Sequence, residues 1–457
     1  MRRPLFLFIL LIASSAARAQ HNLAIAYSNW SCINGIFLNP ASIAEMKEKR
    51  SVSALAASFY VDNNVGPFNA SEGLVVAVGD GKTNNMFSYK NNSKISMMAP
   101  YFNMIGPGAV KRLDSASSIA ITTRLRGMNQ FNFFDQTIFH AFNDPKYAPE
   151  QDMLSLPRDF VYTVHFWMEL GGSYARTVYN KDGQKLKLGG TFRYLLGLAY
   201  VGVQGTSMNT TFTKGQTTFH SENTDIEYAS NVLNTYTYQG SNFSQNFINL
   251  IRKGKFGHGI GGDIGAVYEL KAKGAKAREG YKTKVSLSIC DVGAIFYSKK
   301  VNTNQVINGS GNVSAKGILD NVKNFANMEK YVEKQGFTAT TRNKSTVVYM
   351  PAHLILSGDH HLKKQYYVTA MTVINLANRH AYGNSFYNQF SIIPRYETKN
   401  LTMGLPITYG ILSHSLKVGA GISFHNFYIG SDDMLGFVSK SQYGINIYAG
   451  VTKRFYK

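Results

Sequence analysis

Few residues of this sequence stand at spacings that support catalysis. His414 and Ser415 are adjacent, and a histidine base beside a serine nucleophile is the pair that membrane-embedded acyl hydrolysis would need. The His-x-Ser spacing and the orienting Asn are missing, so no catalytic residue is assigned. His360 and His361 beside Asp359 carry metal-ligating atoms, but a turn before a strand needs only polar side chains, and no metal site is assigned. Gly257 to Gly265 reads GHGIGGDIG and imitates a phosphate cradle. Its glycines continue an alternating strand and no helix with a phosphate-binding Lys follows. Cys32 and Cys290 form no CxxC and no zinc-type cluster, and they are read as two unpaired small residues. Esterase, zincin, nucleotide-binding and EF-hand motifs are all missing, so no cofactor is implied and the chain is not read as an enzyme.

The remaining chemistry is charge at regular phase. Arg124, Glu169, Arg193, Asp263, Glu269 and Arg454 each fall on the polar phase of a run that alternates apolar and polar residues. Such runs are half-buried strands, and charges on their inner phase would line a lumen. A buried charge left alone is costly, so the positive and negative members are expected to face one another. A second candidate group has helical spacing. Phe131, Phe134, Ile138 and Phe142 lie on one face of the segment Asn129 to Asn143, which ends at Asn143-Asp144-Pro145. They are read as a plug or gate over the barrel mouth.

The elements that position these residues follow from composition. Charged residues are 16% and aromatics 13%, against roughly 25% charge in soluble proteins. A soluble globule of this kind would expose a sticky surface, and a 44% hydrophobic content excludes a disordered chain. The mean hydropathy of −0.17 also argues against a helical membrane protein. Membrane barrels fit this near-neutral average, because their strands alternate. Leu401 to Ile411 places Leu401, Met403, Leu405, Ile407 and Tyr409 against Thr402, Gly404, Pro406, Thr408 and Gly410. Leu416 to His425 and Ile445 to Phe455 repeat the pattern, as do Leu186 to Leu198, Ile260 to Leu270 and Tyr162 to Leu170. Runs of about ten residues suffice to cross a membrane when tilted. Asp291 falls on the apolar phase of its run, which predicts a bulge or strand end there, and Pro406 likewise calls for a bulge. Clear and doubtful runs together give an all-β, transmembrane antiparallel β-barrel of about fourteen strands, with short amphipathic helices in loops or lumen. Ser241 to Lys253 and Gly317 to Gly336 are two further helical stretches.

The domain plan is simple. Residues 1–19 read as a signal peptide: Arg2 and Arg3, an apolar stretch from Leu5 to Ala13, and Ala17-Arg18-Ala19 as the cleavage site. Residues 20–457 then form one barrel domain, with an N-terminal segment at 20–50 and a long insertion at 299–345. The formal charge falls from +21 to +18 without Arg2, Arg3 and Arg18. The lysines are scattered among Asn, Gly and Ser, which does not suit nucleic acid; anionic lipid headgroups or polysaccharide fit better.

Several local patterns point to a family. They are Asn39-Pro40-Ala41, the run Gly261-Gly262-Asp263-Ile264-Gly265-Ala266-Val267-Tyr268, Asp291-Val292-Gly293, Gly419-Ala420-Gly421-Ile422 followed by Phe427 to Asp432, and Asn446-Ile447-Tyr448-Ala449-Gly450. Together they resemble the Bacteroidetes outer-membrane family called domain of unknown function 5723, over nearly the whole mature chain. A looser likeness, carried by Asn39, Pro40 and Ala41, is to the long-chain fatty-acid channels and the type IX secretion shuttle barrels, both fourteen-stranded. The charged inner phase departs from an apolar lumen. The resemblance implies an outer-membrane location and outer-membrane lipid as surroundings. Phe455-Tyr456 looks like the strand end that barrel-assembly machinery reads. Two functions remain open: a conduit for a small or amphipathic solute, and a structural or docking barrel of a secretion or surface complex.

Overall fold

The structure, a computed structural model, describes residues 22–31, 33–67, 95–144, 146–233, 252, 254–271, 280–322, 324–439 and 442–456. The signal-peptide residues, Cys32 and all of Ser241 to Lys253 except residue 252 lie outside the described residues. The strand segments join into fourteen antiparallel strands that close on themselves. In chain order they are β1 (Arg50–Asn63), β2 (Ile95–Ile105, resuming as Gly108–Arg112), β3 (Ser117–Asp135), β4 (Met153–Lys181) and β5 (Gln184–Phe212). Next come β6 (Thr218–Ser230 and Gly257–Leu270), β7 (Thr283–Tyr297 and Thr303–Ser314) and β8 (Phe337–Arg342, Thr346–Tyr349 and His353–Lys363). The ring is completed by β9 (Tyr366–Asn375), β10 (Gln389–Glu397), β11 (Leu401–Gly404 and Ile407–Gly410), β12 (Ser415–Val418 and Ala420–Phe424), β13 (Phe427–Ser431) and β14 (Gly444–Phe455). Arg50 lies opposite Phe455, which closes β1 on β14.

Alternation explains the wall. Ile121 is 62% and Ile264 64% exposed, and Ile119, Leu170, Phe192, Ile260, Met403 and Ile422 also face out. Their neighbours Thr122, Glu169, Arg193, Asp263 and Thr402 are buried inside. This apolar outer face makes the barrel a membrane-spanning one. No helix among the described residues is long and apolar enough to cross a membrane. Pro406 sits where β11 breaks, between Gly404 and Ile407, so its missing donor costs no ladder bond.

The two ends differ. At one end the connections are short, such as Asp182-Gly183 and the turn at His425-Asn426, and the strand ends Arg50 and Phe455 lie there. At the other several are long, such as residues 376–388 between β9 and β10. The wall is also uneven: β4 and β5 have 29 residues each, roughly 90 Å of extended chain, so one side stands far above the membrane. The 299–345 segment belongs to this tall side. It is more than a loop insertion, because Thr303–Ser314 pairs with Thr218–Ser230 and with Phe337–Arg342 as wall strands. Short helices follow: α1 (Leu23–Ala26), α2 (Ile33–Ile36), α3 (Gln136–Asn143), α4 (Ala315–Asn321), α5 (Phe325–Glu333) and α6 (Leu435–Val438).

Candidate functional site

The lumen holds three layers, built from the short-turn end upward. The lowest is the N-terminal segment, residues 22–48, which folds inside the barrel as α1, α2 and a 3-10 turn at Pro40–Ile43. Leu23, Ala24, Ile25, Ile33, Ile36, Leu38, Ala41 and Ile43 are all buried. Side chains tie it to the wall. The Asn39 amide donates to the Ala266 and Leu287 carbonyls at 3.1 Å each, while its oxygen accepts from the Ala41 nitrogen at 2.9 Å. Glu45 pairs with Lys185 at 2.6 Å, and the Leu23 nitrogen donates to Asp432 at 2.9 Å. The wall is thinned to admit the segment: a Cβ on Gly189 would stand 2.5 Å from the Ala41 nitrogen. At the short-turn opening Trp30 packs edge-on against Tyr456, and Lys47 lies 4.2 Å from the Trp30 ring centre.

Above this segment lies a buried ionic cluster. Glu169 on β4 meets Arg124 at 2.5 Å, Arg126 at 2.9 Å and Arg193 at 3.4 Å. Asp291 on β7 meets Arg126 at 2.8 Å and Arg124 at 3.2 Å, and Asp263 on β6 chelates Arg193. The Trp167 indole donates to Glu169 at 2.8 Å, and the Tyr101 hydroxyl accepts from Arg126 at 2.8 Å. Three guanidiniums and three carboxylates balance, as burial requires. Asp291 reaches inward because its backbone is left-handed, at φ 56°, and the β6–β7 register breaks beside it. The space left here is about 30 Å³, beside Asn34, Arg124, Arg126, Asp291 and His353, roughly room for a water molecule. The third layer is apolar and aromatic: Tyr101, Trp167, Tyr200 and Tyr297 with Tyr382 and Phe386 from the segment joining β9 to β10. Among the described residues these three layers fill the lumen.

The sequence candidates are distributed over these layers. Arg124, Glu169, Arg193 and Asp263 meet in the ionic cluster. Glu269 lies lower, 2.7 Å from Lys187. Arg454 is at the short-turn rim, donating to the His425 carbonyl at 2.6 Å. Arg126 and Asp291 complete the cluster and were missed as site residues; the signal for Asp291 was a carboxylate on an apolar phase. Of the paired motifs, His360 contacts Thr283 and His361 stacks on Tyr367, while Asp359 turns inward to Arg395. His414 contacts Tyr409 and Ser415 contacts Ser413.

The gate candidates are corrected. Phe131 and Phe134 are on β3, not on a helix; α3 begins at Gln136, where Asp135 caps it by accepting from the Thr137 nitrogen at 2.7 Å. Phe131 shares the outward phase of Ile119 and Ile121, because Phe131 opposes Tyr162 as Leu125 opposes Met168. Above the membrane the outer face of the tall wall is covered by α3, α4 and α5, and a cavity of about 230 Å³ lies between them. Phe131, Phe134, Ile138 and Phe142 line it, with Phe139, Phe160, Tyr162, Val203, Ile307, Val313, Ile318, Met328 and Val332. Phe131 lies 4.3 Å from Tyr162 and 5.3 Å from Phe139 between ring centres. Polar atoms are few; Asn143, Ser221 and Thr224 are on the boundary. The residues expected to stop the lumen thus build an apolar chamber on the opposite face of the sheet. Among the described residues the lumen is filled instead by the N-terminal segment, the ionic cluster and the aromatic layer above it.

No curated protein matches the chain. Among solved structures it is similar to the toluene transporter TodX of P. putida, at 10% identity over 94% of this chain and 95% of that one, with a TM-score of 0.43. It is likewise similar to the toluene transporter TbuX of Ralstonia pickettii (12%, 92% and 93%, TM-score 0.42) and to a Pseudomonas aeruginosa FadL homologue (11%, 96% and 95%, TM-score 0.41). The family model described as a family of unknown function, DUF5723, matches residues 45–432, and the chain belongs to that family.

Proposed function

We propose that this chain is an outer-membrane conduit that takes in a small apolar or amphipathic solute at its long-loop end and is shut in the conformation described. The observation that carries this reading is the 230 Å³ chamber walled by aromatic and aliphatic side chains. An enclosed apolar cavity of about 150 Å³ already binds benzene, so this one suits a two-ring aromatic or a short acyl chain. The boundary atoms of Asn143, Ser221 and Thr224 would receive a polar head. Short turns face the periplasm and long loops the exterior in bacterial barrels, which puts the chamber outside and the 22–48 segment inside. Passage through the lumen would require that segment and the two layers above it to rearrange; the segment is held by apolar packing, side-chain hydrogen bonds and ion pairs rather than by ladder bonds.

The filled lumen favours a second reading, a structural or docking barrel without transport. Equilibrium binding of 1-naphthalenesulfonate to the detergent-folded chain separates the two. Saturable binding that is lost in Ile307→Trp or Val313→Phe, both of which fill the chamber, supports the conduit. Binding that is weak, unsaturable and indifferent to both substitutions supports the docking barrel.

A further inference from the structure

The seam where the first strand meets the last carries an arrangement of charge that the conduit reading leaves unused. Arg50 on β1 and Lys111 on β2 are direct cross-strand partners. Lys453 on β14 is the partner of Val52, next along the same outward face. All three are exposed, and two of them flank Phe455: the Arg50 guanidinium lies 4.8 Å and the Lys453 ammonium 5.4 Å from its ring centre. None of the three enters an ion pair among the described residues. Like charges set directly opposite each other on a sheet destabilise it, and an anion held between them would offset that repulsion.

Position identifies the anion. Lys111 stands opposite Ile119 on the face that continues upward through Ile121, and Val52 and Leu55 continue the β1 side. The three cations therefore lie at the lower edge of the lipid-facing wall, where long basic side chains reach the headgroup layer. A soluble anion would have no use for the apolar wall above; an acyl chain would. Exposed acids occur at both ends, Glu150, Asp225 and Glu333 among the long loops and Asp114 and Asp182 in the short turns, and none of these pairs with Arg50, Lys111 or Lys453.

We propose that Arg50, Lys111 and Lys453 form a seat for the headgroup phosphate of an anionic phospholipid, whose acyl chains lie against the β1–β2 wall. The lipid bridges the closing seam and offsets the repulsion between facing cations.

The test is native mass spectrometry of the full chain folded in neutral detergent, with phosphatidylglycerol or phosphatidylcholine added. Phosphatidylglycerol should stay on the barrel when detergent is stripped, and phosphatidylcholine should not. Arg50→Gln/Lys111→Gln/Lys453→Gln should reduce retained phosphatidylglycerol by about fivefold or more, while Lys316→Gln/Lys330→Gln/Lys334→Gln at the far end should leave it unchanged. Heat-modifiable gel mobility reports folding, and Lys111→Gln alone serves if the triple variant does not fold. Equal retention of the two lipids, or undiminished retention in the seam variants, overturns the proposal. Displacement of the lipid by millimolar inorganic phosphate or by a soluble polyanion overturns the lipid assignment in favour of a free anion.

Discussion

Glu169→Gln should be among the most damaging single substitutions in the wall. The glutamate side chain is 2% exposed and touches three guanidiniums, at 2.5, 2.9 and 3.4 Å, with the Trp167 indole as a fourth donor. Glutamine keeps the shape and one accepting oxygen but removes a full charge. Arg124, Arg126 and Arg193 would then face only Asp263 and Asp291, leaving one uncompensated positive charge in a space with room for about one water. Removing one partner of a buried pair costs about 3–5 kcal/mol, and hydrogen bonds to charged groups are worth about 1.5–3 kcal/mol each. We expect a loss near 4 kcal/mol. Urea unfolding of the barrel in lipid vesicles, followed by tryptophan fluorescence, reads it directly, since Trp167 sits on the cluster. Arg126→Met/Glu169→Met removes one charge of each sign and should cost clearly less than the sum of its single changes, with a coupling of about 2 kcal/mol. A Glu169→Gln loss below about 1 kcal/mol, or strict additivity in the cycle, would refute the picture of a balanced, dry cluster.

Three further outcomes follow from the same geometry. Ile422→Arg places a charge on the outward face and should cost about 2–4 kcal/mol near mid-membrane, whereas the inward Ser423→Arg should cost far less in the same vesicle unfolding assay. Asn39→Ala removes both amide bonds to the wall and the bond to the Ala41 nitrogen, loosening the lumen segment by about 1–3 kcal/mol; ion conductance in planar bilayers should rise while gel mobility stays that of a folded barrel. Asp432 and Asp433, in the β13–β14 connection, have carboxyls pushed up to about 7 by burial, from 3.8. The folded state therefore holds protons that the unfolded state has released between about pH 4 and 7, and stability falls as pH rises through that window. Asp432→Asn/Asp433→Asn should flatten the pH dependence of the thermal midpoint there, and an unchanged slope would contradict the assignment.

The wall was legible in the sequence because lipid outside and polar groups inside impose a strict period of two. Met403, Ile407 and Ile422 alternate with Thr402, Thr408 and Ser423 as expected, the strand number is fourteen, and the Asp291 bulge announced itself as a carboxylate out of phase. Trp167, which breaks the alternation of its run, points inward because its ring nitrogen has Glu169 to bond. The gate failed for a physical reason. Phe131, Phe134, Ile138 and Phe142 have helical spacing only because a strand end and a short helix meet at Asp135, and two unlike elements produced one apparent stripe. Residues 22–48 were harder to read. A segment buried on every side inside a lumen needs neither period, and its short helices are too brief to show one. The small residues that admit it, Gly189 and Gly265, look in sequence like any inward glycine of a barrel. The apolar chamber draws on β3 through β8 and three helices, a convergence set by the height of one side of the wall and invisible to local spacing.

The central claim is that the chamber takes in a solute that the barrel then passes. Its most direct measurement is the initial rate of 1-naphthalenesulfonate entry into proteoliposomes, comparing the native chain with Ile307→Trp at equal amounts of folded protein. The account predicts saturable entry by the native chain, reduced by about tenfold or more when the chamber is filled, consistent with the loss of a chamber-sized apolar contact. Entry at the rate of protein-free vesicles, or entry that Ile307→Trp leaves unchanged, would contradict it.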